Sequence, residues 1–276
     1  MLRPPPRSRS SEPMDLAPGA AAAGVGLIAC DAVGSTNAEA LAYARSGERG
    51  PLWITARAQS AGRGRRGRAW VSEPGNLYAT LLLTDPAPPG RAAELSFVAA
   101  LAVHDAIVRL APALTSRLAL KWPNDVLCDG RKIAGILIEA EGTAPLVMAI
   151  GIGVNCRHHP AATEFPATDL AGAGAEVSAA ALFEALSGAM VLRLREWDAG
   201  FASIRAEWLR RAGGLGGELR VRLGAREVAG RFEALDDSGR LMLRRPDGTL
   251  EAIAAGEIFP IPPDAAMGAA GALSDG

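Results

Sequence analysis

Lys121-Trp122-Pro123-Asn124-Asp125-Val126-Leu127-Cys128-Asp129-Gly130-Arg131-Lys132-Ile133-Ala134-Gly135-Ile136-Leu137-Ile138-Glu139 sets two polar clusters into short apolar runs. Leu118 to Leu120, Val126 to Cys128 and Lys132 to Glu139 are rich in Val, Ile and Leu and too short for helices, so they read as strands. The KWPND segment follows the first of these strands and opens a turn. A lysine, an amide and a carboxylate at a strand end suit a polar cleft, and equally an ordinary Pro-Asn-Asp turn with a surface lysine. Lys132 begins a strand whose remainder is apolar. It stands either as a cation placed for a ligand or as a lysine at the strand's solvent end.

Working outward, Val25 to Asp31, Leu52 to Ala56, Leu77 to Leu83 and Leu146 to Val154 read as further strands. Ser35 suits the N-cap of a helix that carries Ala38, Leu41, Ala42 and Arg45 and stops at Gly47. Glu94 to Leu110 places Leu95, Val98, Leu101, Ala102 and Ala106 at helical spacing. Ala179 to Trp197 and Phe201 to Arg211 supply two more helices. Gly213-Gly214-Leu215-Gly216-Gly217 breaks the pattern as a linker or sharp corner. Beyond it lie short strands at Glu218 to Leu223, Glu227 to Leu235, Leu241 to Arg244 and Leu250 to Ala254. Asp236-Asp237-Ser238-Gly239 and Pro246-Asp247-Gly248 are hairpin turns between them, and the spacing predicts a small β-barrel. The expected division is a loose extension over 1–23, an α+β domain over 24–214, the barrel over 215–263 and a tail over 264–276.

The chain has 276 residues, 49% hydrophobic and 21% charged, with a net charge of -1. That is the profile of a globular protein, and the charge argues against a surface that tracks nucleic acid. The three cysteines, Cys30, Cys128 and Cys156, have neither CxxC nor Cys/His spacing. They read as buried small hydrophobes in a reducing compartment rather than as zinc ligands. No apolar run reaches the roughly 18 residues of a membrane helix. Arg3, Arg7 and Arg9 ahead of an apolar stretch ending at Cys30 imitate a lipoprotein signal, but Pro18 and several glycines weaken it. Gly24 to Asp31 is therefore read as the first buried strand. Either Met1 or Met14 serves as the start.

Gly62-Arg63-Gly64-Arg65-Arg66-Gly67-Arg68 has no apolar periodicity, so Gln59 to Arg68 reads as a loop. Glycines let backbone N–H groups approach a ligand, and guanidinium groups pair with phosphate or carboxylate oxygens. The loop suits an anionic nucleotide-like ligand. An Arg/Gly segment that binds RNA has similar content, but such segments sit in long disordered tracts. A cation at Lys132 would complement the loop, because joining a carboxylate to an α-phosphate brings two anions within bonding distance.

With Ser35-Thr36-Asn37 and Gly151-Ile152-Gly153-Val154-Asn155, these segments stand in an order that closely resembles the bacterial biotin–protein ligase family. The resemblance covers roughly Gly24 to Pro263. It implies a mixed-sheet α+β catalytic domain with a small C-terminal SH3-like β-barrel. The implied activity is ATP-dependent formation of biotinyl-5′-AMP, followed by transfer of biotin to a lysine of a biotin carboxyl carrier domain in a biotin-dependent carboxylase. On that resemblance Ser35, Thr36, Asn37 and Gln59 hydrogen-bond the biotin head group. Arg63, Gly64 and Arg65 close over biotin and its adenylate. Lys132 neutralises the carboxylate and the α-phosphate, and Gly135 lets the ligand lie against the strand. Arg65, Arg68, Trp70, Lys121, Asn124 and Asn155 fall to ATP or the adenylate. Asp125, with Lys132 and Arg65, falls to catalysis, and Asn124 and Asp125 serve the triphosphate, its magnesium or the acceptor lysine. ATP and biotin are the substrates, with Mg2+, whose protein ligands are left unassigned.

Relatives often carry an N-terminal helix-turn-helix domain, and only about 24 polar residues precede the first strand here. The monofunctional, cytoplasmic type is expected, without nucleic acid or membrane, as a monomer or homodimer. Two rivals are a lipoate or octanoyl ligase or transferase of related fold, and a non-enzymatic nucleic-acid-binding protein.

Overall fold

The computed structural model describes residues 12–261. A short helix, α1 (Pro18–Ala22), leads into β1 (Gly26–Val33), α2 (Thr36–Arg45) and β2 (Leu52–Gln59). Then come β3 (Leu77–Thr84), α3 (Leu95–Leu110), β4 (Leu118–Lys121), β5 (Asp125–Cys128), β6 (Arg131–Glu141) and β7 (Val147–Val154). Two helices follow, α4 (Ala179–Asp198) and α5 (Phe201–Arg210). The chain closes with β8 (Glu218–Leu223), β9 (Arg226–Leu235), β10 (Leu241–Arg244), β11 (Leu250–Ile253) and β12 (Glu257–Pro260).

The first seven strands form one mixed sheet in the order β1-β2-β3-β7-β6-β5-β4. Only β1 and β2 run parallel, because α2 carries the chain back between them. Strand alternation divides the sheet into two faces. Trp53, Leu81, Ile150, Ile152 and Ile136 turn to α3 and α4 and join the main apolar core. Trp53 meets Phe183 of α4 edge-on with ring centroids 5.5 Å apart. Ile54, Leu52, Leu82 and Ala149 turn the other way and pack under Ala40 and Leu41 of α2. α2 covers only part of that second face, so the strand ends from β3 to β6 remain open for a ligand. α3 is apolar nearly all round, as its position between sheet and helices requires.

The C-terminal strands form an antiparallel sheet in the order β11-β10-β9-β8-β12. This agrees with the expected SH3-like architecture, with β11 and β12 as edges of a five-stranded sheet rather than partners in a closed ring. Sequence reading missed β12, whose Glu-Ile-Phe-Pro has no alternation long enough to register. The sheet is also less independent than its glycine-rich joint suggested. Trp122, fully buried, donates its indole N–H to Gly239 O at 3.0 Å. Phe97 of α3 lies against Gly239 of the small sheet, and Phe232 and Val221 belong to the same continuous core as α3.

A second correction concerns the segment before Gly24, expected to be disordered. Ala17 N donates to Ser187 Oγ at 2.9 Å and Ala20 is fully buried. Met14 and Leu16 pack on the main core, so residues 12–23 clasp α4. Residues 1–11 and the expected tail from 264 lie outside the described residues. Cys128 and Cys156 are buried as expected, whereas Cys30 on the edge strand β1 is only half-buried. Burial pushes the Cys156 thiol up to about 12, which leaves it an inert hydrophobe.

Candidate active site

Every residue that the sequence assigned to biotin, ATP or catalysis lines one cavity of about 510 Å³ on the open face of the large sheet. That volume lies within the ordinary range for small-molecule sites. The cavity has a floor of strands, a wall at the start of α2, and a lid made by the arginine loop and the C-terminal sheet.

At the wall, Ser35, Thr36 and Asn37 are all buried. Ser35 occupies the expected N-cap, yet its side chain makes no capping bond. Gln59, the last residue of β2 rather than the first of a loop, takes over that task. Its Oε1 accepts from Thr36 N–H at 2.9 Å and from Thr36 Oγ1 at 3.1 Å. Gln59 Nε2 donates to Ser72 Oγ. Thr80 Oγ1, which sequence reading did not single out, lies 2.7 Å from Asn37 Oδ1 and 2.8 Å from Thr36 Oγ1.

Glycines make room on the floor. A Cβ at Gly151 would come within 2.3 Å of Asn37 Oδ1, and one at Gly153 within 2.6 Å of the Trp70 indole. Gly135 is the strand neighbour of Gly153, and Trp70 also overlies it. The three glycines therefore seat protein side chains as well as leaving ligand space. Trp70 Nε1 is buried without a protein acceptor, a donor that a ligand could satisfy.

The charged centre stands on three adjacent strands. Asp125, at the start of β5, is buried. Lys132 Nζ of β6 lies 2.6 Å from its Oδ1 and Lys121 Nζ of β4 lies 3.4 Å from its Oδ2. Burial alone would raise the Asp125 carboxyl, but the charges of Lys132 and Lys121 overcome it and hold the group below the ordinary aspartate value. Lys121 is lowered, first by its own burial and further by Lys132, against the opposing pull of Asp125. Two ammonium groups on one carboxylate leave a net positive centre, suited to anions.

The arginine loop, read from the sequence as having no periodicity, contains one short turn. Arg65–Gly67 form a single helical turn, and Arg66 adopts the left-handed φ of 58°. Arg65 reaches inward, donating to Asn124 Oδ1 at 2.9 Å and Gly256 O at 3.2 Å. Burial lowers its guanidinium, with Asp125 pulling the other way. Asn124 is fixed in turn by donating to Ile136 O at 2.7 Å. Arg63 bonds Glu139 at 2.9 Å, and Arg68 pairs with Glu257 of the C-terminal sheet. Asn155 closes the far end, donating to Thr168 O at 3.0 Å.

Sequence reading missed the segment at Pro160 to Phe165, which lines the cavity and stacks Phe165 4.2 Å from Lys121 Nζ. It has no periodicity. Backbone bonds to both sides of Lys132 hold it in place, Lys132 N–H to Pro166 O at 2.7 Å and Thr168 N–H to Lys132 O at 2.9 Å. Gly256 and Glu257 were missed for the same reason as β12.

A mixed sheet with a positively charged cleft under a Gly/Arg loop, joined to a small antiparallel sheet, is the architecture expected of an acyl-activating ligase. The biotin/lipoate A/B protein ligase family matches residues 34–155, and the biotin protein ligase C-terminal domain matches 214–259. A biotin–[acetyl-CoA-carboxylase] ligase of Paracoccus denitrificans is 47% identical over 82% of this chain and 96% of its own length. The bifunctional ligase/repressor of Bacillus subtilis is 32% identical over 80% of this chain and 70% of its own. A biotin protein ligase from Aquifex aeolicus, solved with biotin and ATP, superposes with a TM-score of 0.73 at 26% identity, covering 85% of this chain and 97% of that one. The chain belongs to the biotin–protein ligase family.

Proposed function

We propose that this protein activates biotin with ATP as biotinyl-5′-AMP and passes the biotinyl group to a lysine of a biotin carboxyl carrier domain. The observation that carries this reading is the Lys121–Asp125–Lys132 centre, buried at Lys121 and Asp125 and placed between a hydrogen-bonding wall and an arginine lid in one cavity. The wall of Ser35, Thr36, Asn37 and Gln59 offers a few fixed donors and acceptors to the compact polar head of an otherwise apolar ligand. Lys132 brings the biotin carboxylate to the α-phosphate, whose mutual repulsion would otherwise oppose attack. Arg65, largely shielded from solvent beside Asn124, grips the phosphate. Trp70, Arg68 and Asn155 bound the nucleotide side, and Gly64 supplies close backbone approach.

Once the anhydride forms, pyrophosphate leaves. The lid excludes water until the acceptor amine arrives. Magnesium would be held chiefly by the phosphates of ATP and would help to neutralise them, because the cavity carboxylates already serve cations. Asp125 faces two lysines, and Glu164 and Glu257 face arginines. Among the described residues no three His, Cys, Asp or Glu side chains gather as a resident metal site. Activation and head-group recognition fall to residues 24–214, and the C-terminal sheet, β8 to β12, completes the lid.

Biotin is favoured over lipoate by the likeness to the Paracoccus biotin–[acetyl-CoA-carboxylase] ligase, which matches this chain over nearly its own whole length. A nucleic-acid-binding role is disfavoured because Arg63, Arg66 and Arg68 each meet an acidic side chain of the chain itself. Among the described residues no helix is long and apolar enough to cross a membrane. The deciding experiment offers the purified protein ATP with biotin or lipoate and follows pyrophosphate release. Release with biotin alone is expected, and release only with lipoate would overturn the reading.

A further inference from the structure

The cavity face of β6 climbs from Gly135 through Leu137 to Glu139, and Glu139 has no part in the chemistry above. Its carboxylate nevertheless accepts two hydrogen bonds on one oxygen. Asn37 Nδ2 donates to Glu139 Oε2 at 2.8 Å, and Arg63 Nη2 donates to the same atom at 2.9 Å. The two donors come from different parts of the site. Asn37 stands in the buried wall on α2, over Gly151, while Arg63 rides the exposed lid.

A carboxamide can turn over, exchanging donor for acceptor, unless its neighbours forbid it. Asn37 Nδ2 is held by Glu139 and by Leu137 O at 3.3 Å, and its Oδ1 by Thr80. Glu139 supplies the only charged acceptor in that set, and bonds to ionised acceptors are the stronger ones. The Arg63 bond alone would be weak, since both side chains meet solvent. Shared with a fixed acceptor, it transmits the seating of the wall to the lid.

We propose that Glu139 is a positioning residue that couples the head-group wall to the arginine lid, so that biotin recognition and lid closure depend on one carboxylate oxygen. The inference rests on the reading that this cavity binds biotin. Two effects follow. Without Glu139 the Asn37 amide loses the shorter and only charged of its two acceptors, and Arg63 loses its tether. Biotin binding should weaken, while Lys132, on the same strand but at its far end, keeps Asp125 and the reaction itself.

The test compares full-length Glu139→Ala, Arg63→Ala and the double variant, using calorimetric biotin affinity and pyrophosphate release at saturating biotin and ATP. Glu139→Ala should raise the biotin dissociation constant about ten- to a hundredfold, the range expected for one bond to a charged group. The maximal rate and the KM for ATP should change less than about twofold. In the double variant the loss should fall short of the product of the two single losses, because both act through one joint. Glu139→Gln, which keeps an acceptor oxygen at the same reach, should recover much of the affinity. Unchanged biotin affinity, equal losses for biotin and ATP, a multiplicative double variant, or a Gln variant as weak as Ala would each overturn the proposal. A parent protein that releases no pyrophosphate with biotin would instead sink the functional reading and is distinguishable from these outcomes.

Discussion

Lys121, Asp125 and Lys132 stand on three neighbouring strands with side chains 10%, 10% and 26% exposed. Arg63, Arg66 and Arg68 ride a loop at 45%, 38% and 55%. Both sets carry net positive charge and members of both line the same cavity, but their physics differs. Charges fixed on strands in a low-dielectric floor act strongly on a developing charge and need no reorganisation at the moment of reaction. Charges on an exposed loop interact weakly when free and gain force only when a ligand orders and covers them. The floor should therefore decide the chemistry, and the lid should decide how long the product of that chemistry is held.

The largest effect should come from the floor. Lys132→Ala is expected to lower adenylate formation by roughly a hundredfold or more, equivalent to ~3 kcal/mol of barrier. The fold should survive, because Asp125 keeps Lys121. Pyrophosphate release measured beside a thermal melt checks both halves, and near-parent release by a folded variant would refute the assignment.

Asp125→Asn should cost stability as well as activity. It strands two lysines around a neutral amide, and breaking a buried pair costs roughly 3–5 kcal/mol. The lower figure is expected, since Lys132 retains about a quarter of its side-chain exposure. The pH dependence has a definite sign. The folded Asp125 carboxyl lies below its ordinary 3.8, so its stabilisation is fully present above that value and is lost as pH falls through the lowered folded value. Urea midpoints of parent and variant should therefore differ at neutral pH and converge in acid. A gap that widens in acid would contradict the ion-pair account.

Between floor and lid stands Arg65, on the loop but largely buried against Asn124. Arg65→Gly should spare synthesis and weaken retention. One charge-assisted phosphate contact is worth roughly 1.5–3 kcal/mol, so adenylate release should rise about ten- to a hundredfold. Released biotinyl-adenylate would acylate bystander proteins such as albumin, which a labelling assay detects. A variant that makes adenylate and stays acceptor-specific would pass the retaining role to the loop's backbone amides.

The same contrast explains what sequence reading reached. The strand-borne lysines and carboxylate stood out as polar residues beside apolar runs. Each segment alone read equally as an ordinary turn or strand end, and only their order, resembling the family, suggested roles. Glu139 was visible in the Lys132 run, but its task depends on Arg63, 76 residues away in sequence, and no local pattern announces it. Pro160 to Phe165 and Glu257 enter the site only through tertiary placement. The small sheet was foreseen from its turns, whereas its docking through Trp122 and Gly239 was not, because an indole N–H gives no sign of its distant acceptor. Residues 12–23 misled for a related reason, since small residues such as Ala20 fill a helix groove without any apolar periodicity.

The smallest expected effect belongs to Arg68. It borders the cavity, and the family resemblance gave it to ATP, yet its guanidinium turns to Glu257 and more than half of its side chain meets solvent. Exposed pairs of this kind contribute roughly 0–1 kcal/mol, which is less than about fivefold in an equilibrium. Arg68→Gly should therefore change adenylate release by no more than that, and bystander labelling should stay near the parent level. Glu257→Gln offers a second check, because it removes the same pair from the other side, together with the longer Arg66 contact to that carboxylate. If both variants leak slightly and equally, the Arg68–Glu257 pair is a simple tether between lid and small sheet. If Arg68→Gly leaks as strongly as Arg65→Gly while Glu257→Gln does not, Arg68 leaves Glu257 for the phosphate when ligand is bound. The lid would then grip with several arginines at once, and the division of labour drawn here between one buried arginine and its exposed neighbours would fail.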